Sequence, residues 1–254
     1  MLIQYASDLH LTFGCNFQYV LSGGIKPEGD VFVLAGDIAE IQNLERYDAF
    51  WDWCSEHFKE TLFVPGNHDW YGCWENTQAF TDPMTIMIRP NVRCANNTVV
   101  RLGDTDFIAS TLWSDVPPDA QIAVETTLLD FREIFIGGEF LTIADYNTFH
   151  RACLAWLKKA VAASEAAHRV VVTHHVPSFA VTAKHHLGSP VTTGFVTELG
   201  NWIAESPIDA WIYGHSHTSI EGEIGATKIL SNQLGYIKFG EGRDYSPCKT
   251  LKIV

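Results

Sequence analysis

The sequence places eight side chains of types that bind metals or transfer protons directly after short apolar runs. They are Asp8, His10, Asp37, Asn67, His68, His174, His215 and His217. Carboxylate oxygens, an amide oxygen and imidazole nitrogens together suit Mn, Fe, Zn, Ni or Mg, and the set contains no thiolate. If the fold brings these side chains into one cleft, we expect a divalent metal centre there.

Taken singly, most of the short motifs in this set are weak evidence of a metal site. An Asp-x-His or Gly-Asp pair occurs in ordinary turns and helix caps. A His-x-His pair arises easily by chance in a chain with eleven histidines. The string Gly66-Asn67-His68-Asp69 is much rarer. Because all the motifs follow apolar runs, their combination favours one site over coincidence.

The elements that must position these residues are short strands. Five apolar runs bounded by turn residues are predicted to be buried strands: Leu2–Ala6, Val31–Ala35 and residues 62–64, 170–172 and 211–213. Ligands in α/β sheets bind outside the carboxyl ends of the strands, where the polar clusters of this sequence fall. The pattern therefore predicts a single cleft at the strand ends.

Helical patterns lie between the strands. Residues 42–59 are predicted to form a helix, and so are residues 145–167, where Phe149, Cys153 and Trp156 fall on one face with Ala160. The alternation of strand and helix predicts the α/β class, with a largely buried sheet.

The last third of the chain has a different pattern. Residues 220–224, 228–231, 236–239 and 250–254 are predicted to be successive strands of a meander, with a hairpin turn at residues 225–227. A meander after βαβ units suggests mixed sheets. Residues 113–143 and 177–194 are less regular and are expected to form loops or cap-like segments over the site.

Composition excludes several classes of protein. The chain has 254 residues, 46% of them hydrophobic, and a formal charge of −13. A disordered chain is excluded, and one domain spanning residues 1–254 is expected. A strongly acidic surface disfavours binding to long nucleic acids or to an anionic membrane. The sequence also lacks a run of about 18 apolar residues that would predict a transmembrane helix.

The cysteines bear on the cellular compartment. Six are scattered along the chain without a C-x-x-C pair, and the first residues do not resemble a signal peptide. Both observations predict reduced thiols and a cytoplasmic protein.

In order along the chain, the motifs resemble those of the calcineurin-like metallophosphoesterase superfamily. Its pattern of D-x-H, G-D, G-N-H-D/E, H and G-H-x-H is matched by Asp8-x-His10, Gly36-Asp37, Gly66–Asp69, His174 and Gly214–His217. A finer similarity, to small bacterial Icc-like predicted phosphohydrolases, rests on the stretches at residues 110–115, 172–178 and 231–236. The resemblance implies a four-layer αββα fold with two facing mixed β-sheets and flanking helices.

The resemblance also implies two divalent metal ions, with Mn expected to support activity best in vitro. One ion would be held by Asp8, His10, Asp37 and His217, and the other by Asp37, Asn67, His174 and His215. His175 is the alternative to His174 as a ligand.

Asn67 and His68 would contact the substrate, with His68 as the catalytic histidine beside the leaving group. Asp69 is a further candidate catalytic residue that would orient a histidine or the loop. As a turn cap, Asp69 would instead be purely structural.

The implied reaction is hydrolysis of phosphomonoesters or small phosphodiesters by in-line attack of a hydroxide that bridges the two metals. Two divalent ions would also make the site cationic within an acidic protein. Aromatic residues after the site motifs, Trp70, Tyr71, Trp113 and Phe179, are expected mainly to pack the core or anchor loops, although they could stack on substrate. Lys184, His185 and His186 are expected in an exposed loop.

Two alternative functions for the protein would involve no catalysis. One is a protein-interaction scaffold on the same fold, like the retromer subunit of the superfamily; it predicts eroded ligands, and all eight positions are present. The other is a structural metal site, which is usually four-coordinate and rich in cysteine, unlike this set.

Overall fold

The computed structural model describes residues 1–184 and 186–253. Its strands, numbered along the chain, are β1 Leu2–Ala6, β2 Val31–Ala35, β3 Glu60–Val64, β4 Gly72–Trp74, β5 Met84–Arg89, β6 Val92–Asn96, β7 Thr98–Leu102, β8 Thr105–Ser110, β9 Ile134–Ile136, β10 Glu139–Phe140, β11 His168–Thr173, β12 Ala210–Tyr213, β13 Gly222–Ile224, β14 Thr227–Ser231 and β15 Thr250–Lys252. The α-helices are α1 Gly14–Tyr19, α2 Asp48–His57, α3 Gln78–Thr81, α4 Gln121–Thr127, α5 Asp130–Glu133, α6 Ile143–Ala163 and α7 Gly200–Glu205.

Two six-stranded mixed sheets form the framework. The first has the order β15-β1-β2-β3-β6-β5, and the second has the order β13-β14-β12-β11-β8-β7. The strands that precede the polar motifs pair in parallel: β1 with β2, β2 with β3, and β11 with β12. Their carboxyl ends therefore lie at one edge of each sheet.

The two sheets pack face to face. Alternate residues of each strand enter the same buried cluster, such as Val31 and Val33 of β2 with Val170 and Val172 of β11. The residues between them face outward and are also buried. Phe32, for example, lies in a cluster with Phe50 and Trp51 of α2. Both faces of the inner strands are covered, which explains their unbroken apolar sequence.

Helices cover the outer face of each sheet. On the second sheet, Val171 and Trp211 share a cluster with Leu157 of α6 and Ile203 of α7. The α/β class and the layered arrangement of two facing mixed sheets between helices are thereby confirmed.

The two predicted helices differ from the structure at their ends. The segment predicted at residues 42–59 is a 3-10 helix, Ile41–Tyr47, interrupted at Asn43 (φ −137°) and followed by α2, which begins after Tyr47 (φ −115°) and ends at His57. The helix predicted at residues 145–167 begins earlier, since Thr142 and Asp145 form a capping box, and it ends at Ala163.

The predicted C-terminal meander is wrong, although its hairpin is present. Ile224 pairs with Thr227 in the β13–β14 hairpin, but β14 then pairs in parallel with β12. Residues 236–239 are not a strand: a 3-10 helix spans Ile237–Phe239. β15 crosses to the first sheet and pairs with β1. Val254 of the predicted last strand lies outside the described residues.

The two irregular segments contain short elements. Residues 113–143 hold α4, α5 and the β9–β10 hairpin, and β9 also pairs with β4 in a small third sheet. Residues 177–194 hold 3-10 turns at Phe179–Val181 and Pro190–Gly194. Among the described helices, none is both long and apolar enough to cross a membrane.

Asp69 connects the turns that follow β2 and β3. Its carboxylate is buried and accepts hydrogen bonds from the backbone N–H groups of Asp37 (2.7 Å), Ile38 (2.8 Å) and Gly66 (2.7 Å). Burial and the nearby charge of Asp37 raise the pKa of Asp69, and the donated hydrogen bonds oppose that rise. Asp69 was expected to orient a histidine or the loop, or to cap a turn, and these three backbone contacts favour the loop and turn-cap roles.

Asp69→Ala is expected to destabilise the protein strongly, because three buried N–H groups lose their acceptor. At about 1–3 kcal/mol for each, the free energy of unfolding falls by at least about 3 kcal/mol. Thermal unfolding with chelator present, so that metal binding adds nothing, measures this loss. Asp119→Ala, at an exposed aspartate, is the control. Equal stability of the two variants would contradict this role for Asp69.

Candidate metal centre

The strand ends bring the predicted residues together as expected. Asp8 and His10 follow β1, Asp37 follows β2, Asn67 follows β3, His174 follows β11, and His215 and His217 follow β12. The first three strands belong to one sheet and the last two to the other. Because the sheets face each other, the side chains from both converge on the space between the two sets of strand ends.

The backbone at these positions is unusual. Five of the residues are non-glycine residues with positive φ: Asp8 (56°), His10 (45°), Asp37 (56°), His215 (77°) and His217 (49°). This left-handed region is uncommon for side-chain-bearing residues, and such conformations cluster at functional sites. Each of these five conformations destabilises the backbone locally. Their occurrence at one site indicates that the directions of the side chains matter more there than local backbone stability.

Asp8, His10, Asp37 and His217 form a first cluster, whose ligand atoms lie within 4.8 Å of one another. His10 Nε2 is 2.9 Å from His217 Nε2 and 3.7 Å from Asp37 Oδ2. His217 Nε2 is 3.4 Å from Asp8 Oδ1. Two imidazole nitrogens that face each other between carboxylates suit a shared cation.

Asp37, His174 and His215 form a second cluster within the same limit of 4.8 Å. His174 Nε2 lies 3.3 Å from Asp37 Oδ1 and 3.1 Å from Asn67 Oδ1. His215 Nε2 is buried without a hydrogen-bond partner. An orphaned buried nitrogen is costly, and a cation at this position would satisfy it.

Asp37 is common to both clusters. Its Oδ2 atom faces His10 of the first cluster and its Oδ1 atom faces His174 of the second. The carboxylate is buried, and its Oδ1 atom also accepts a hydrogen bond of 3.0 Å from the backbone N–H of His68. One carboxylate can therefore offer an oxygen to each of two cations.

The electrostatics of the two clusters favour cations. Burial would raise the pKa of Asp37, but the charges of His174 and His68 outweigh it and hold that pKa well below its usual range. Burial lowers the pKa of His10 and of His215, so both imidazoles are neutral and can offer a nitrogen lone pair to a metal. Burial alone would lower the pKa of His174, but the adjacent Asp37 carboxylate outweighs burial and raises that pKa to about 9. A metal ion would replace that proton.

Surrounding groups fix the orientation of the candidate ligands. His174 Nδ1 donates to the Ala35 carbonyl at 2.9 Å, which leaves Nε2 for a metal. His217 Nδ1 donates to Glu241 Oε2 at 2.6 Å, and Asp8 accepts from the backbone N–H of His215. Such hydrogen bonds set the tautomer of a ligating imidazole and increase its basicity. With the orphaned nitrogen and the mixed oxygen and imidazole donors, the residues fit divalent ions.

His68 borders the clusters without joining the described metal groups. Its ring is 4.9 Å from that of His10, and its Nε2 atom is 3.4 Å from the Tyr71 hydroxyl and 3.3 Å from the Tyr236 hydroxyl. It is half-buried and lines the cavity beside the clusters. This placement suits a group that contacts a substrate rather than a metal.

The second histidine of the His174-His175 pair is a member of neither described group, although its ring packs 4.3 Å from that of His215. His175 is buried, with Nδ1 3.2 Å from the Thr111 carbonyl and Nε2 2.9 Å from the Tyr146 hydroxyl. Burial and the charge of His174 lower its pKa, so it is a neutral packed imidazole. The geometry favours His174 as the candidate ligand.

The aromatic and loop candidates divide between core and cavity. Trp70 and Trp113 are buried in the core, whereas Tyr71 lines the cavity. Phe179 and Lys184 are exposed. His186 lines the cavity, and His185 lies outside the described residues.

Three residues at the site were missed in the sequence: Asp130, Tyr236 and Glu241. Asp130 is fully buried and accepts from Asn67 Nδ2 (2.7 Å) and the Tyr71 hydroxyl (2.9 Å), so it aims the Asn67 amide oxygen toward His174. Tyr236 stacks on His10 with ring centroids 4.4 Å apart. Of these three, only Asp130 lies in a segment, residues 113–143, that the sequence predicted to form loops or a cap over the site.

Four of the candidate ligands, Asp37, Asn67, His215 and His217, line a cleft of about 480 Å³, named here the metal cleft. Its floor includes Asp37, Asn67 and His215, and its walls include Asp130 from residues 113–143 and Tyr236 from the C-terminal region. Its size and partly open shape admit a small organic molecule.

Comparisons with known proteins agree with this fold. A protein of Acanthamoeba polyphaga mimivirus is 28% identical over an alignment of 258 positions that covers 92% of this chain and 91% of that protein. The crystal structure of phosphopantetheinyl hydrolase from Mycobacterium tuberculosis has a TM-score of 0.69 at 15% identity, covering 98% of this chain and 95% of that one, and shows the shared fold. The model of the calcineurin-like phosphoesterase family matches residues 2–219. The chain therefore belongs to the calcineurin-like phosphoesterase family and is a phosphoric ester hydrolase.

Proposed function

We propose that the protein hydrolyses phosphomonoesters or small phosphodiesters at a centre of two divalent metal ions. The observation that carries this proposal is the position of Asp37, whose two carboxylate oxygens face two separate groups of ligands. Asp8, His10, Asp37 and His217 would hold one ion, and Asp37, Asn67, His174 and His215 the other. Mn, Fe, Zn, Ni and Mg all suit these donors, and we propose Mn for activity in vitro.

The metal ions, when bound, would neutralise phosphoryl oxygens and supply a hydroxide nucleophile at neutral pH. The protein's part is to arrange the surrounding groups. Asp37 keeps the two ligand groups together, and Asn67 adds an oxygen ligand without adding negative charge. Asp130 holds the Asn67 amide in that orientation through a hydrogen bond of 2.7 Å.

His68 is the proposed proton donor to the leaving oxygen. It lies beside His10, outside the described ligand groups, with Nε2 facing the cleft hydroxyls of Tyr71 and Tyr236. A general acid matters most when the leaving alcohol is a poor leaving group, because the alkoxide is then too basic to depart unprotonated. Asp69 is a positioning residue in this scheme, acting through the backbone of Asp37.

Small substrates are favoured over polymers. The metal cleft has a volume of about 480 Å³, and the chain carries a formal charge of −13. Surface charge of that sign repels a polyanion, whereas a single phosphoester meets the local positive charge that the metals would supply.

With Mn²⁺, the purified protein is expected to hydrolyse an aryl phosphomonoester or an aryl phosphodiester, and a chelator should abolish the activity. Asp37→Asn should lose metal from both positions and lower kcat/KM at least about hundredfold, because both ions share this ligand. Asp119→Asn, at an exposed aspartate, serves as the matched control. Elemental analysis and initial rates give the two readouts. A protein that holds two ions per chain but leaves a broad phosphoester panel intact would contradict the proposal.

His68→Ala is expected to retain the metal content and to lose activity selectively. With alkyl or phenyl leaving groups the rate should fall by about 10²–10⁴, and with a nitrophenyl leaving group by much less, since that group departs without protonation. His57→Ala, at an exposed histidine of α2, should match the parent protein. Rates across leaving groups of graded pKa measure the difference. Loss of bound metal from His68→Ala would assign this residue to the ligands instead.

A further inference from the structure

A second cavity, named here the side pocket, adjoins the metal cleft. It has a volume of about 220 Å³ and is lined by Thr182, by residues of the segment 186–196 and by Ser216. Its lining includes the apolar side chains of Val191, Phe195 and Val196 and the threonines Thr182 and Thr192. The character of the side pocket therefore differs from that of the metal cleft, whose floor is made of carboxylate, amide and imidazole groups.

The two cavities share part of their walls. His186, Phe195 and Ser216 line both. The Phe195 ring stacks on the candidate ligand His215, with centroids 4.4 Å apart and an interplanar angle of 28°. Ser216 lies between the candidate ligands His215 and His217 along the chain. The apolar wall thus begins directly beside the proposed metal ligands, within reach of a group attached to a phosphorus bound there.

The size of the side pocket limits what it can hold. Apolar cavities of about 150 Å³ bind benzene. A volume of 220 Å³ has room for one substituted aryl ring or an alkyl chain of about six carbons. An apolar group placed against Val191, Phe195 and Val196 loses no hydrogen bonds to water, whereas a polyhydroxylated group would lose those on the side that faces these three residues.

We propose that the side pocket binds an alkyl or aryl group of the substrate, joined through oxygen to the phosphorus that lies in the metal cleft. The inference rests on the proposed function and narrows its substrate class to phosphoesters with an apolar organic group. Affinity should then grow with the apolar surface that the group buries, until the side pocket is full.

Binding of n-alkylphosphonates tests this without any hydrolysis, because their P–C bond is not cleaved. Calorimetry with the Mn²⁺-loaded protein should show Kd falling about fourfold for each added methylene from methyl to about hexyl, and then levelling off. The heat-capacity change of binding should become more negative over the same range, as expected for burial of apolar surface.

Variants at Val191 test whether the dependence of Kd on chain length arises in the side pocket. Val191→Trp fills the side pocket and Val191→Asn makes it more polar, so both should flatten the dependence of Kd on chain length. Val99→Trp makes the same change at an exposed site on β7, the edge strand of the second sheet, and should keep the dependence. Two different substitutions at residue 191 guard against misfolding of either one.

The outcomes separate this inference from the proposed function. Equal affinity for all chain lengths, or an unchanged dependence in both Val191 variants, would overturn the side-pocket assignment and leave the hydrolytic proposal intact. A chain-length dependence in a protein that hydrolyses no phosphoester would support the side pocket and contradict the proposed function. Failure to bind any phosphonate would contradict both.

Discussion

The arrangement depends on one constraint, the burial of the Asp37 carboxylate between two groups of imidazoles. A buried carboxylate is costly unless positive charge or hydrogen bonds compensate it. Asp37 accepts a hydrogen bond from the His68 backbone, and it faces His10 through one oxygen and His174 through the other. Further positive charge is needed because the Asp8 carboxylate is buried in the same space. Divalent cations would meet that need at the point where the ligands converge.

Much of the fold around Asp37 serves to hold this geometry. The parallel strands of two facing sheets bring five turns together, and positive φ angles turn the side chains inward. Asp69 binds the backbone of two of those turns, while Asp130 and Glu241 orient a candidate ligand each. The acidic surface and the proposed cationic centre would then be compatible, because the surface would repel polymers and the centre would attract a single phosphate.

The sequence predicted the parts of this arrangement that are local. Each candidate ligand lies within a few residues of an apolar strand, so Asp8 and His215 were identifiable from their neighbours. Asp130 was not, because its role depends on Asn67, which is 63 residues away. The distance between two such residues is set by how the segments pack.

Dependence on packing between distant segments also explains why the strands predicted near the C-terminus were wrong. Residues 236–239 have the apolar content of a strand, but the Tyr236 N–H donates to Glu241 and the ring stacks on His10. Those tertiary contacts outweigh local β-propensity. Likewise, β15 looks like the last strand of a meander, and its pairing with β1 spans nearly the whole chain. The strands β5 to β8 were also not anticipated, since this stretch carries none of the site motifs.

Anomalous diffraction from crystals of the Mn²⁺-loaded protein tests the central claim most directly, because it locates each ion independently of activity. The account predicts two peaks about 3.5–4 Å apart, with one Asp37 oxygen bound to each. His10 and His217 should contact one ion, and His174 and His215 the other. A single ion, or two ions that do not share Asp37, would contradict it.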